Sequence, residues 1–119
     1  MAESAPITEE ADWFIGEKKT FEYTIFNADG SKADITNWDL VWTLRPAAES
    51  TTIFIQKQST DAGEINKSAP TQGVCQVLVM PGDYEAVTGA GTFDTALKRT
   101  DGDNDTTLAF GPAVLQASA

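Results

Sequence analysis

The chain has 119 residues, with 18 acids against 8 bases, one cysteine and no histidine. A formal charge of −10 leaves little to hold phosphate, which argues against nucleic acid and anionic membrane surfaces as partners. Without histidine the Ser-His-Asp and Cys-His arrangements and every histidine metal site drop out, and one cysteine builds neither a disulfide framework nor a thiolate cluster.

This length suits one domain with one core. No apolar run approaches the ~20 residues of a membrane span. Residues 1–11 are polar, carry Pro6 and lack the basic start and apolar block of a secretory signal. They are expected to form an extended N-terminal arm that lies against a neighbour, ahead of a folded unit over 12–119.

Trp13-Phe14-Ile15 opens the apolar pattern. Thr20 to Phe26 then reads as a strand with Phe21, Tyr23 and Ile25 on one face. Asn27-Ala28-Asp29-Gly30-Ser31 is a turn, because Asp-Gly supports positive φ. In Trp38 to Arg45, Leu40, Trp42 and Leu44 share a face. This predicts a core Trp42, a rim Trp38 and a strand ended by Pro46.

Thr51 to Gln58 is expected at a sheet edge, with Lys57 protecting it. One of Ile53, Phe54 and Ile55 must face outward there, and an exposed Phe54 is a candidate contact patch. Asp61-Ala62-Gly63 turns into a short piece around Ile65, and Ser68 to Gly73 reads as a loop. Val74 to Met80 is nearly continuously apolar, predicting a strand covered on both faces, with Cys75 as a small buried hydrophobe. Pro81-Gly82 stops it, and Asp83 to Val87 fits one helical turn capped by Asp83.

Gly91 to Leu115 carries the clearest signal. Phe93, Thr95 and Leu97 point one way, and Asp94, Ala96 and Lys98 the other. After an Asp-, Gly- and Asn-rich cluster, Leu108 and Phe110 begin a second alternating run that breaks at Gly111-Pro112 and resumes at Val114. Alternation on both sides of turn residues predicts a β-hairpin. Seven or eight short strands with turns roughly every 8–12 residues predict an all-β sandwich or barrel.

Chemistry is faint. Acids lie in turns or on exposed strand faces, and no Gly-rich phosphate loop is present. The sequence therefore predicts no enzyme and no cofactor. Asp101, Asp103 and Asp105 stand at i, i+2 and i+4, a spacing that hard calcium uses. The match to a helix–loop–helix calcium loop then fails, with Thr106 at its sixth position and Pro112 at its twelfth. These three aspartates are a weak metal candidate against a plain solvated turn. Trp13, Trp38, Trp42, Phe54 and Tyr84 are the aromatics from which a sugar- or peptide-binding platform would be built, against the commoner role of filling a core.

Three stretches together resemble a family of tailed-phage structural domains: FEYTIFNADGSKADITNWDLVWTLR, GVCQVLVMPGDYEAV and GTFDTALKRTDGDNDTTLAFGPAVL. That family comprises the β-sandwich at the N-terminus of siphophage baseplate upper proteins and related small virion proteins. The resemblance spans about residues 13 to 115 and rests on turn and core positions. It implies a single immunoglobulin-like antiparallel β-sandwich, a place in the virion, and other virion proteins as partners, in many copies or as a homo-oligomer. It carries over no catalytic residue. No coiled-coil linker or receptor-binding domain follows Ala119, which points to a stand-alone capsid decoration protein. A tail, neck or baseplate component is the nearest alternative. A free-standing carbohydrate- or peptide-binding module is the alternative from another class.

Overall fold

A computed structural model of the chain describes residues 13–47, 50–87, 89–102 and 105–117. The arm expected over 1–11 lies outside the described residues. Among the described residues eight strands form two sheets. They are β1 (Trp13–Phe14), β2 (Lys19–Thr24), β3 (Leu40–Arg45), β4 (Ile55–Gln58), β5 (Ile65–Ala69), β6 (Val74–Val79), β7 (Gly91–Arg99) and β8 (Thr106–Gln116). Two short 3-10 turns, Pro70–Gln72 and Pro81–Tyr84, flank β6.

One sheet has the order β1-β8-β7-β3-β4 and the other β2-β6-β5. The predicted all-β sandwich is therefore what forms, with eight strands. Pairing is antiparallel except between β1 and β8, which run parallel through Trp13↔Leu115 and Phe14↔Gln116.

The core lies between the sheets. Phe21, Tyr23, Cys75, Val77, Val79 and Ile65 come from the smaller sheet. Trp13, Leu40, Trp42, Leu44, Leu97 and Leu115 meet them from the larger one. Trp42 is fully buried, stacks on Phe21 at 5.7 Å between ring centroids and donates Nε1–H to the Tyr23 hydroxyl at 3.0 Å. This bond gives the one polar atom of the indole a partner inside an apolar interior. Trp38 sits half-buried at the rim beneath the Arg99 guanidinium, 4.1 Å from the ring centroid.

The connection between β2 and β3 closes one end of the core. Ile25, Ala33 and Ile35 are fully buried, and the backbone around them bonds to the segment before β6. Ile25 N–H donates to Gly73 O at 2.8 Å and Ile35 N–H to Pro70 O at 2.9 Å. Gly73 has φ +74°, and a Cβ there would lie 2.4 Å from Ile25 O and 2.9 Å from Ala33 O. Only glycine satisfies both the backbone conformation and the close approach.

Four local expectations change. β6 alternates rather than being covered on both faces: Cys75, Val77 and Val79 are buried, while Val74, Gln76 and Leu78 are half-buried on the outer face. β4 is an edge strand, but it begins only at Ile55. Its Lys57 points into the sandwich, where Nζ meets Asp83 Oδ2 at 2.6 Å. A charge turned inward makes an edge strand costly to extend with a foreign strand. Phe54 is half-buried and packs edge-on against Phe93 at 5.6 Å, so Ile53 is the outward residue of that trio. Asp83 is the third residue of its turn rather than the cap, and its carboxylate accepts from Met80 N–H at 2.6 Å.

Candidate functional site

The hairpin β7–β8 forms where the sequence placed it, but its outer strand does not keep one phase. Leu97 pairs with Ala109, whereas Lys98 pairs with Thr107. Leu108 is therefore an extra residue, a β-bulge. Both Leu108 and Ala109 are buried. Side chains alternate strictly along a regular strand, so one inserted residue reverses every position beyond it. The run 93–98 keeps its expected faces. Phe110, which alternation groups with Leu108, lies on the opposite face, and Val114 lies there with it.

The result is a row of exposed apolar side chains, Phe110, Pro112 and Val114, along the outer face of the larger sheet. Phe110 is 73% and Val114 58% exposed. Two residues of a strand advance about 6.8 Å, so the row is about 13 Å long. Beside it, Phe110 pairs with Ala96, Ala96 with Thr43, and Thr43 with Gln56. The next row runs from Pro112 through Asp94 to Arg45.

A concavity of about 430 Å³ opens on this face. It is lined by Thr43, Arg45, Asp94, Ala96, Lys98 and Phe110, with Thr95 and Thr107 at its margin. Its two cations, Arg45 and Lys98, stand against Asp94 and against Asp105, the partner of Lys98, so it carries no net negative charge on a chain of net charge −10. Arg45 donates from Nη1 to Ser50 O at 3.0 Å, while its Nε is buried without a hydrogen-bond partner among the described residues. A buried donor left unpaired costs about 1–3 kcal/mol and is a natural place for an incoming acceptor. Lys98 reaches Asp105 at 3.3 Å in an exposed pair, which solvent screens.

The edge of β8 beside this row is also unusual. Ile15 N–H donates to Gln116 O at 3.0 Å, so the main-chain groups of Gln116 face β1. Alternation then turns those of Val114, Pro112 and Phe110 to the same side and those of Gly111 toward β7. Gly111 O indeed accepts from Thr95 Oγ1 at 2.9 Å on the β7 side. Pro112 thus places its missing donor on the outer edge, where proline is tolerated in a sheet.

The aspartates singled out from sequence do not come together. Asp101 receives Arg99 Nε at 2.8 Å and Nη2 at 3.0 Å, and its Oδ1 also accepts from Asp39 N–H at 3.1 Å. The Arg99 hydrogen bonds pull its carboxyl down to about 2. Asp105 pairs with Lys98, and Asp103 lies outside the described residues. Among the described residues no cluster of three His, Cys, Asp or Glu side chains is arranged to hold a metal ion.

The aromatic platform does not form either. Trp13, Trp42 and Tyr84 are buried, with Trp13 Nε1–H donating to the Tyr84 hydroxyl at 2.7 Å. Cys75 is buried, and burial pushes its thiol up to about 12, which leaves it without thiolate character at neutral pH.

The surface row was missed from sequence because Leu108-Ala109-Phe110 is a continuous apolar triplet whose phase no periodicity fixes. A usable signal lay in Pro112, whose missing N–H calls for an unpaired side and so marks the stretch of β8 that β1 does not cover. No protein-family model matches the chain, and no curated protein matches it.

Proposed function

We propose that this chain is a non-enzymatic structural module that docks through the outer face of its larger sheet. The proposed setting is the particle of a tailed phage, where the chain decorates and stabilises the capsid. The observation that supports docking is the exposed row Phe110-Pro112-Val114 beside the concavity that holds Arg45, Asp94 and Lys98. An exposed aromatic in an apolar row, rimmed by charge, is the usual make-up of a protein contact surface. The virion setting rests on the sequence resemblance. The nearest variant of this reading places the same module at the tail, neck or baseplate.

A rigid sandwich suits such a role. Docking then requires little ordering of the module itself, so more of the contact energy appears as affinity. Many copies on a symmetric lattice multiply weak contacts through effective concentration. Electron microscopy of purified particles carrying a labelled copy of this chain tests the setting. Label at regular positions on the head is the expected result. Label on the tail selects the variant, and absence from particles overturns the proposal.

A second reading, a carbohydrate- or peptide-binding module, is favoured by the same concavity, which combines Phe110 with Arg45, Asp94 and Thr43. Glycan and peptide arrays probed with the isolated chain separate the two. Saturable binding lost in Phe110→Ser, by a chain absent from particles, selects the second reading.

A further inference from the structure

The docking reading leaves open what the Phe110 face receives, and the inference drawn next rests on that reading. We propose that this face binds residues 2–12 of a second copy of the same chain. Those residues, Ala-Glu-Ser-Ala-Pro-Ile-Thr-Glu-Glu-Ala-Asp, carry four carboxylates, no base, and the apolar pair Pro6-Ile7. The receiving face offers two cations, Arg45 and Lys98, against Asp94 and the Lys98 partner Asp105, beside an exposed apolar row. Arg45 Nε is a buried donor without a partner among the described residues, and a glutamate carboxylate is a strong acceptor for a guanidinium. On a chain of net charge −10, a face whose cations match its acids repels an acidic segment less than a net-negative face does.

The register of β1 argues for a second copy. Trp13 pairs with Leu115 and Phe14 with Gln116, so residue n stands beside residue n+102. Continued in that register, Glu10 would meet Pro112, which has no N–H to give. Trp13 faces the core, so Ala11 and Glu9 would follow it inward and bury a carboxylate at the sandwich edge. Both features oppose extension of β1 along the chain's own β8. Each copy then offers one acidic segment and one receiving face, a head-to-tail contact that propagates through an array.

Sedimentation equilibrium of the full chain, taken up to millimolar concentration, tests this. We expect concentration-dependent association that weakens as salt is raised. Phe110→Ser should weaken it about tenfold, the effect of losing an aromatic anchor. Glu9→Lys/Glu10→Lys should do the same, and mixing that variant with Lys98→Glu should restore association between the two chains. Phe110 and Lys98 are outside the core, and circular dichroism of each variant confirms that it is folded. Three results overturn the inference: a monomer at every concentration, association indifferent to Phe110→Ser, or amide shifts at Ala96 and Phe110 that depend on residues 2–12 but not on concentration. The last would mean that the face holds its own chain's segment. A chain that attaches to particles but shows one of these results defeats this inference and leaves the docking reading standing. Self-association in the expected pattern, by a chain absent from particles, does the reverse.

Discussion

Two regions of this sandwich use apolar and small residues in opposite ways. Around Gly73, the connection 25–35 closes over the core, and every apolar side chain there is matched by a backbone bond nearby. Along β8, Phe110, Pro112 and Val114 are held just as firmly by strand pairing but cover nothing among the described residues. Backbone order and side-chain burial are separable: a β-ladder fixes a side chain's direction without giving it a partner. A change near Gly73 should therefore act on stability, and a change at Phe110 on association.

The largest effect should come from Gly73→Ala. Its Cβ would sit 2.4 Å from Ile25 O at a positive φ, so backbone must move in two segments. We expect a loss of more than about 3 kcal/mol and a fall in Tm of more than about 10 °C, read by thermal melting. A melt within a few degrees of the parent would show that this end of the core is looser than the geometry indicates.

Next is the inward ion pair. Lys57→Ala leaves Asp83 without its cation, and because the Asp83 side chain is 25% exposed, water compensates in part. A loss of about 1–2 kcal/mol in urea denaturation is expected. The double variant Lys57→Met/Asp83→Asn should recover much of it, since no unpaired charge remains. No recovery would mean that Lys57 acts through its packing.

The alkaline limb of stability sharpens the same contrast. Burial is the main cause that raises Tyr23 from 10.0 to about 12 and Cys75 from 9.0 to about 12. The folded state holds these protons after the unfolded state has begun to lose them. The stability they confer is thus complete below pH 9 and drains away as pH rises toward 12. Denaturant midpoints should fall across that window, and Cys75 should resist a thiol reagent at pH 8.5 until the chain is unfolded. Rapid labelling of the native chain would contradict its burial.

The smallest stability effect belongs to Phe110→Ser. With the side chain 73% exposed, the expected change is within about 0.5 kcal/mol. A larger loss would mean that Phe110 packs within its own chain and would remove the basis for docking through it.

Much of the fold was legible in the residues themselves. Period-two alternation gave the faces of β2 and β3, the burial of Phe21, Tyr23 and Trp42, and the hairpin. Pro46 marked the end of β3, and Asp29-Gly30 marked a turn that closes with Asn27 N–H donating to Ser31 O at 2.7 Å. The candidate site was less legible. A strand's phase can be read only while alternation is clean, and Leu108-Ala109-Phe110 offers apolar residues at both parities. Val74 to Met80 misled for the same reason, since an apolar residue on an outer face looks the same in sequence as one in the core.

Alternation and turn chemistry are local, so the sequence by itself determined that this chain makes short strands around one tryptophan-centred core. Its lack of histidine ruled out any site that this chain would build on an imidazole. Tertiary structure alone decided the bulge at Leu108, the inward turn of Lys57, and the pairing of β1 with β8. Each depends on which strand lies alongside, and that neighbour comes from a distant part of the chain. A one-residue shift against it is enough to turn a core row into a surface row.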